Sequence, residues 1–170
     1  MESNDLDLHG FELCSFPHDI EQLTALTKLS LQDNKLNFIS ETVHDLRNLK
    51  VFSVSSNRIE VLPSSLGSLS ELEELDLSSN CIQTLPVEIG LLKNLKTLNL
   101  QDNPLTGPLQ DLALRGIPDI LAYFRLILDA RRTKELNLAF QGFRYFPIEA
   151  LYINGLKTLF VNDNQIKSIP

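Results

Sequence analysis

The sequence predicts an α/β solenoid, a stack of short repeats that each add one strand to a parallel β-sheet. Three observations predict it. Leu26, Leu49, Leu72 and Leu95 recur at a fixed spacing of 23 residues. After each of them an apolar residue stands three on, another five on and an asparagine eight on, as in Leu29, Leu31 and Asn34 or Leu75, Leu77 and Asn80. An apolar-x-x-apolar-Pro step follows, as in Ile59 to Pro63 and Ile82 to Pro86. Self-similarity at a fixed period marks a repeat architecture, in which a single unit cannot bury its apolar face and stacked units can.

Extending the register gives seven repeats, beginning at about residues 3, 26, 49, 72, 95, 133 and 156. The first, from Ser3, carries Leu6, Leu8, Leu13, Phe16 and Pro17, with Phe11 in the asparagine column. The sixth carries Leu136, Leu138, Phe143, Phe146 and Pro147, with Gln141 in that column; the seventh runs through Leu159, Val161, Asn164, Ile166 and Ile169 to Pro170. Apolar residues two apart share one side of a strand, so Leu29 and Leu31 point inward while Ser30 faces the concave side. The asparagine amide is expected to satisfy backbone groups that the following turn leaves unpaired. Pro63, Pro86 and Pro147 fix a short helical start on the convex side.

The step from Leu95 to Thr133 is 38 residues, 15 longer than the others. The extra residues predict a single amphipathic helix within an insert of about 109–132, with Pro118 and Asp119 at its N-terminal end and Arg131 and Arg132 at its C-terminal end. Ile120, Leu121, Tyr123, Phe124, Ile127 and Leu128 fall within an arc of roughly 160°, opposite Ala122, Arg125, Leu126 and Asp129. The insert is expected to be a spacer docked on the stack.

This pattern resembles the leucine-rich repeat, in its cytosolic 23-residue, proline-containing class of Ras-pathway scaffolds and Ras-suppressor-like proteins. The stretch from Asn103-Pro-Leu105 to Ile120-Leu-Ala-Tyr-Phe-Arg125 is similar to the segment that interrupts leucine-rich-repeat-containing protein 40 and its relatives, with Phe124 where leucine is usual there. The resemblance implies a horseshoe with a parallel concave sheet, seven repeats and one inserted helix, acting as a cytosolic scaffold or adaptor.

Composition narrows the function. With 15 Lys and Arg against 22 Asp and Glu, the net charge of −7 opposes nucleic-acid binding, which needs a concentrated basic surface. Two cysteines, Cys14 and Cys81, exclude a disulfide framework and a CxxC metal site, and free thiols suit a reducing compartment. The N-terminus is acidic where a secretory signal is basic, and the longest apolar run, Ile120 to Phe124, is far short of a membrane span. A cytoplasmic protein without membrane insertion is expected.

No catalytic constellation emerges. His9, His18 and His44 occupy different columns, the glycines are scattered, and no nucleophile motif occurs. Asp5, Asp7 and His9 share a strand face, yet the matching positions in the next repeat are Lys28, Ser30 and Gln32, a polar edge rather than a metal site. No enzyme activity, cofactor or metal is expected.

The remaining functional feature is surface. The concave columns are small and polar, with Lys50, Lys96, Lys134 and Lys157 along one edge and Asp33, Asp102 and Asp163 along the other. Such a face suits a protein partner better than a small molecule. The candidate partner-binding residues are Lys28, Glu74, Asp76, Asn99, Gln101, Asn137, Phe140, Phe160 and Asn162, the two phenylalanines being large aromatics on an otherwise polar face. The expected function is a non-catalytic protein-interaction module whose partner the sequence does not name. The alternative is the recognition part of a larger signalling enzyme, such as a repeat-bearing kinase or GTPase. Because the last repeat stops before its convex half is complete, the chain is expected to continue or to associate through an uncapped end.

Overall fold

Each apolar-x-apolar step forms a three-residue strand. The strands are β1 (Asp5–Asp7), β2 (Lys28–Ser30), β3 (Val51–Ser53), β4 (Glu74–Asp76), β5 (Thr97–Asn99), β6 (Glu135–Asn137) and β7 (Thr158–Phe160). The structure is a computed structural model that describes residues 4–169; Ser3, where the first repeat is expected to open, and Pro170, which closes the last, lie outside them. All pairing is parallel, and the sequence period is the register: Leu6, Leu29, Phe52, Leu75 and Leu98 align across β1–β5. Their side chains face the core, where Leu29 and Phe52 are fully buried. The residues on either side of them in each strand form the opposite, open face of the sheet.

One expectation needs correction. A single sheet was expected, whereas β1–β5 form one sheet and β6–β7 a second. Between them stand two helices rather than one, α1 (Pro108–Arg115) and α2 (Ile117–Thr133). Gly116, with φ 108, ends the first and precedes the second, a conformation that a side chain disfavours. Pro108 sits in the first turn of α1 and Pro118 in that of α2, where a missing N–H costs nothing.

The ladder of asparagine side chains is interrupted at the break. Asn57 Nδ2 donates to the carbonyls of Leu31 (2.9 Å), Val54 (2.9 Å) and Ser55 (3.1 Å), while its Oδ1 accepts the N–H of Leu36 at 2.9 Å. Two of these bonds stay in its own repeat and two reach back to the preceding one. Asn34, Asn80, Asn103 and Asn164 repeat the scheme. Gln141 does not, because its amide donates only to Ala139 O, at 3.2 Å. The positions that would answer it, counted back as for Asn57, are Ile120 and Arg115, which the insert has placed in helices.

On the side opposite the open face lie short 3₁₀ turns. Ser64–Ser68, Val87–Leu91 and Ile148–Tyr152 follow Pro63, Pro86 and Pro147. Glu41–Asp45 follows Ser40, whose Oγ accepts the N–H of Thr42 at 3.2 Å. Helix α2 packs on Val87–Leu91, with Phe124 fully buried. A Cβ on Gly90 would lie 2.9 Å from the Arg125 nitrogen, so only glycine permits this approach. Arg125, on the arc expected to face solvent, is exposed but also donates from Nε to Gly90 O at 2.8 Å.

Repeat six docks on the helices. Phe143 meets the Tyr123 ring edge-on at 5.6 Å, and Arg115 lies over its face. The buried Asp111 carboxylate on α1 accepts both the backbone N–H of Arg144 (3.1 Å) and its Nε (2.7 Å).

Candidate protein-binding face

The open face is built from the strand residues whose side chains turn away from the core and from the turn that follows each strand. Lys28, Glu74, Gln101, Asn137, Phe140, Phe160 and Asn162 are exposed; Asp76 and Asn99 are half-buried. The break in the sheet divides them. Asp76 pairs in register with Asn99, and Lys28 lies two strands from Glu74 through Val51. Asn137 is opposite Phe160 on the second sheet. The nine residues therefore form two patches: Lys28, Glu74, Asp76, Asn99 and Gln101 on the first sheet, and Asn137, Phe140, Phe160 and Asn162 on the second.

Several polar residues on this face also have local structural roles that the column pattern conceals. Asp7, Asp76, Asn99 and Asn137 each accept, through Oδ1, the backbone N–H two residues on, at 3.0 to 3.2 Å. These Asx turns end the strands, so only the remaining atoms of those side chains are free for a ligand. Ser30, which strand alternation places on the concave side, is buried, as are Ser53 and Ser55 in the next repeat.

The supposed acidic edge likewise has a backbone explanation. Asp33, Asp102 and Asp163 have φ between 51 and 55, as do Ser56 and Ser79 in the same column. Left-handed backbone favours Gly, Asn, Asp and small polar residues. Phe140 occupies this column with φ 59 and is 75% exposed. Phe160, in the Asx-turn column, is 50% exposed. Neither ring joins an aromatic pair among the described residues.

Charge on the face is mainly local. Glu73 is held below the usual carboxylate range by its hydrogen bond with Lys96 and by that ammonium's charge. Glu41, on the opposite side, is lowered by hydrogen bonds from Ser65. Among the described residues no group of three or more His, Cys, Asp or Glu is arranged to hold a metal, and no helix is long and apolar enough to cross a membrane.

Residues 47–105 match the family model described as leucine rich repeat. That stretch is about a third of the chain. It contains β3, β4 and β5 and the asparagine bridges of Asn57, Asn80 and Asn103. Among solved structures the chain is similar to an internalin from Listeria monocytogenes, at 34% identity over 55% of this chain, with a TM-score of 0.47. It spans 30% of that internalin's length. No curated protein matches the chain. The first patch falls largely within the matched residues 47–105; the second, with Phe140 and Phe160, lies beyond them.

Proposed function

We propose that the chain is a non-catalytic protein-interaction module, a cytosolic scaffold or adaptor of the Ras-suppressor-like class, that holds a protein partner on the concave side of its sheets. The observation that carries this reading is Phe140. A bulky aromatic stands exposed at a left-handed turn position where other repeats place Gly10, Asp33, Ser56, Ser79, Asp102 or Asp163. Folding gains nothing from that choice, since the backbone conformation disfavours the side chain and the ring is not buried. Exposed aromatics among polar neighbours are the residues that anchor interfaces, and Phe160 provides a second one close in sequence register. Cys14 and Cys81 are exposed and unpaired, which suits a reducing compartment.

The test is affinity capture from cytosol with the wild-type chain, Phe160→Ser and the double variant Glu74→Lys/Asp76→Lys, followed by calorimetry with the purified captured protein. The expected result is a partner retained by the wild-type chain and bound at least about tenfold more weakly by the variants, with unchanged melting temperatures. Equal binding by all three proteins would remove the concave-face reading.

A further inference from the structure

We propose that the free edge of β5 takes up an extended segment of the partner protein as an added strand, and that this segment alternates basic and apolar side chains. The inference rests on the interaction-module reading and specifies the chemistry of its ligand.

The edge is defined by hydrogen bonds. Thr97 N–H donates to Glu73 O at 3.0 Å, and Asn99 O accepts the N–H of Leu77 at 2.9 Å. In a parallel ladder the backbone groups alternate sides, so the N–H and C=O of Leu98 point away from β4. On the earlier strands that side is taken by the next repeat, as where Leu31 N–H donates to Ser53 O at 2.8 Å. β5 has no such neighbour, because β6 pairs with β7. Among the described residues no hydrogen bond reaches the Leu98 backbone from that side. Such an edge is a template for another strand.

A groove of about 700 Å³ runs along this edge. Leu98 and Leu105 form one wall, and Ala113, Leu114 and Ile117 from the two helices form the other. Leu114 is 83% exposed at a position of α1 that lines the groove. A strand laid on β5 would send alternate side chains into this apolar trough and the others over the open face.

Charge selects the segment. The open-face positions of β4 and β5 are Glu74, Asp76, Thr97 and Asn99, with no Lys or Arg among them; Arg144, which also lines the groove, is paired with the Asp111 carboxylate, and Lys28 lines the adjoining depression. Asp102 lies at the rim of the groove. Asn99 lines both the groove and the shallow depression that holds Glu74 and Asp76, so the two features are continuous. Basic side chains on the outward positions of the added strand complement these carboxylates; acidic ones are repelled.

The experiment uses a fluorescent, N-acetylated octapeptide of alternating Lys and Val, its Glu–Val counterpart, and a Lys–Val version N-methylated at alternate amides, titrated into the full chain. Amide NMR shifts locate the binding. The Lys–Val peptide is expected to bind, to move the Leu98, Asn99 and Leu100 amides, and to slow hydrogen exchange at Leu98. N-methylation and Leu114→Lys should each weaken it about tenfold, and the acidic peptide should bind at least about tenfold more weakly. Leu114 and Glu74 are exposed, so Leu114→Lys and Glu74→Lys keep the fold, as circular dichroism would verify. Undiminished binding after N-methylation, shifts that map to β7, no binding at millimolar peptide, or a second copy of the chain occupying the Leu98 edge would each overturn strand addition. If those results came while Phe160→Ser still abolished capture of the partner, strand addition would fall and the module reading would stand. Indifference in both experiments would remove both.

Discussion

The Tyr123 hydroxyl donates to Glu149 Oε2 at 2.6 Å, joining α2 to the Ile148–Tyr152 turn, while Glu149 Oε1 accepts from Thr84 Oγ1 at 3.4 Å. One carboxylate thus holds the fourth repeat, the insert and the sixth repeat together. Burial and the adjacent Glu149 charge push the Tyr123 hydroxyl far above the ordinary tyrosine range. The folded chain therefore keeps a proton that an unfolded tyrosine loses at about pH 10. Stability from this group is complete below that pH and falls above it, by about 1.4 kcal/mol per pH unit. Urea unfolding should show this slope above about pH 10 in the wild-type chain and a shallower one in Tyr123→Phe. At neutral pH the same variant should lose about 1.5 kcal/mol with the charged hydrogen bond.

Replacing Asn57 by alanine removes four hydrogen bonds, two of them to the preceding repeat. It should cost about 3 kcal/mol, because buried carbonyls and an N–H are left without partners. Gln141→Asn should change stability by less than about 0.5 kcal/mol, since the inter-repeat partners are absent there. Chemical denaturation distinguishes the two; a large gain from Gln141→Asn would show that the ladder can be continued across the insert.

The contact between α2 and the Val87–Leu91 turn depends on the missing side chain at Gly90. Gly90→Ala should cost about 1–3 kcal/mol by overpacking against Phe124 and Arg125. Phe124→Ala should cost about 3–5 kcal/mol. Arg125→Ala, which the helical arc alone would place within about 0.5 kcal/mol, should instead lose about 1 kcal/mol with its bond to Gly90 O. Thermal melts of the three variants give the order directly.

Phe140→Asn should raise stability by about 1 kcal/mol, because asparagine tolerates the left-handed backbone that phenylalanine strains. The same change should weaken partner binding. A variant that gains stability and binds normally would assign Phe140 no part in recognition.

The strands and the register of β1–β5 were legible from the chain because one column of inward apolar residues, Leu6, Leu29, Phe52, Leu75 and Leu98, repeats every 23 residues, and parallel pairing preserves that spacing. The second helix was not. Leu109 and Leu112 of α1 are buried, but eight residues between Gly107 and Gly116 are too short for a clear helical period. The split sheet was also hidden: Gln141 looks like a mild substitution for asparagine until its lost partners are traced to Arg115 and Ile120. On the candidate site, exposure of Phe140 and Phe160 could be read from their polar columns. The Asx-turn duty of Asp76, Asn99 and Asn137 could not, since a strand-ending carboxylate and a ligand-binding one have the same letter.

The interruption at Gln141 has a mechanical consequence. Repeats one to five are laced by side-chain amides and by a continuous backbone ladder, which yield together. Repeats six and seven are joined to them by the apolar core they share with the helices, by Asp111 and the ring of Phe143, and by Glu149, which reaches both Tyr123 and Thr84. Tension applied at the C-terminal end therefore loads this shared core and these side-chain ties, with no backbone ladder beside them, before it reaches the laced section. The terminal pair should peel away as one event at low force, and the five-strand section should rupture later as a second, stiffer one.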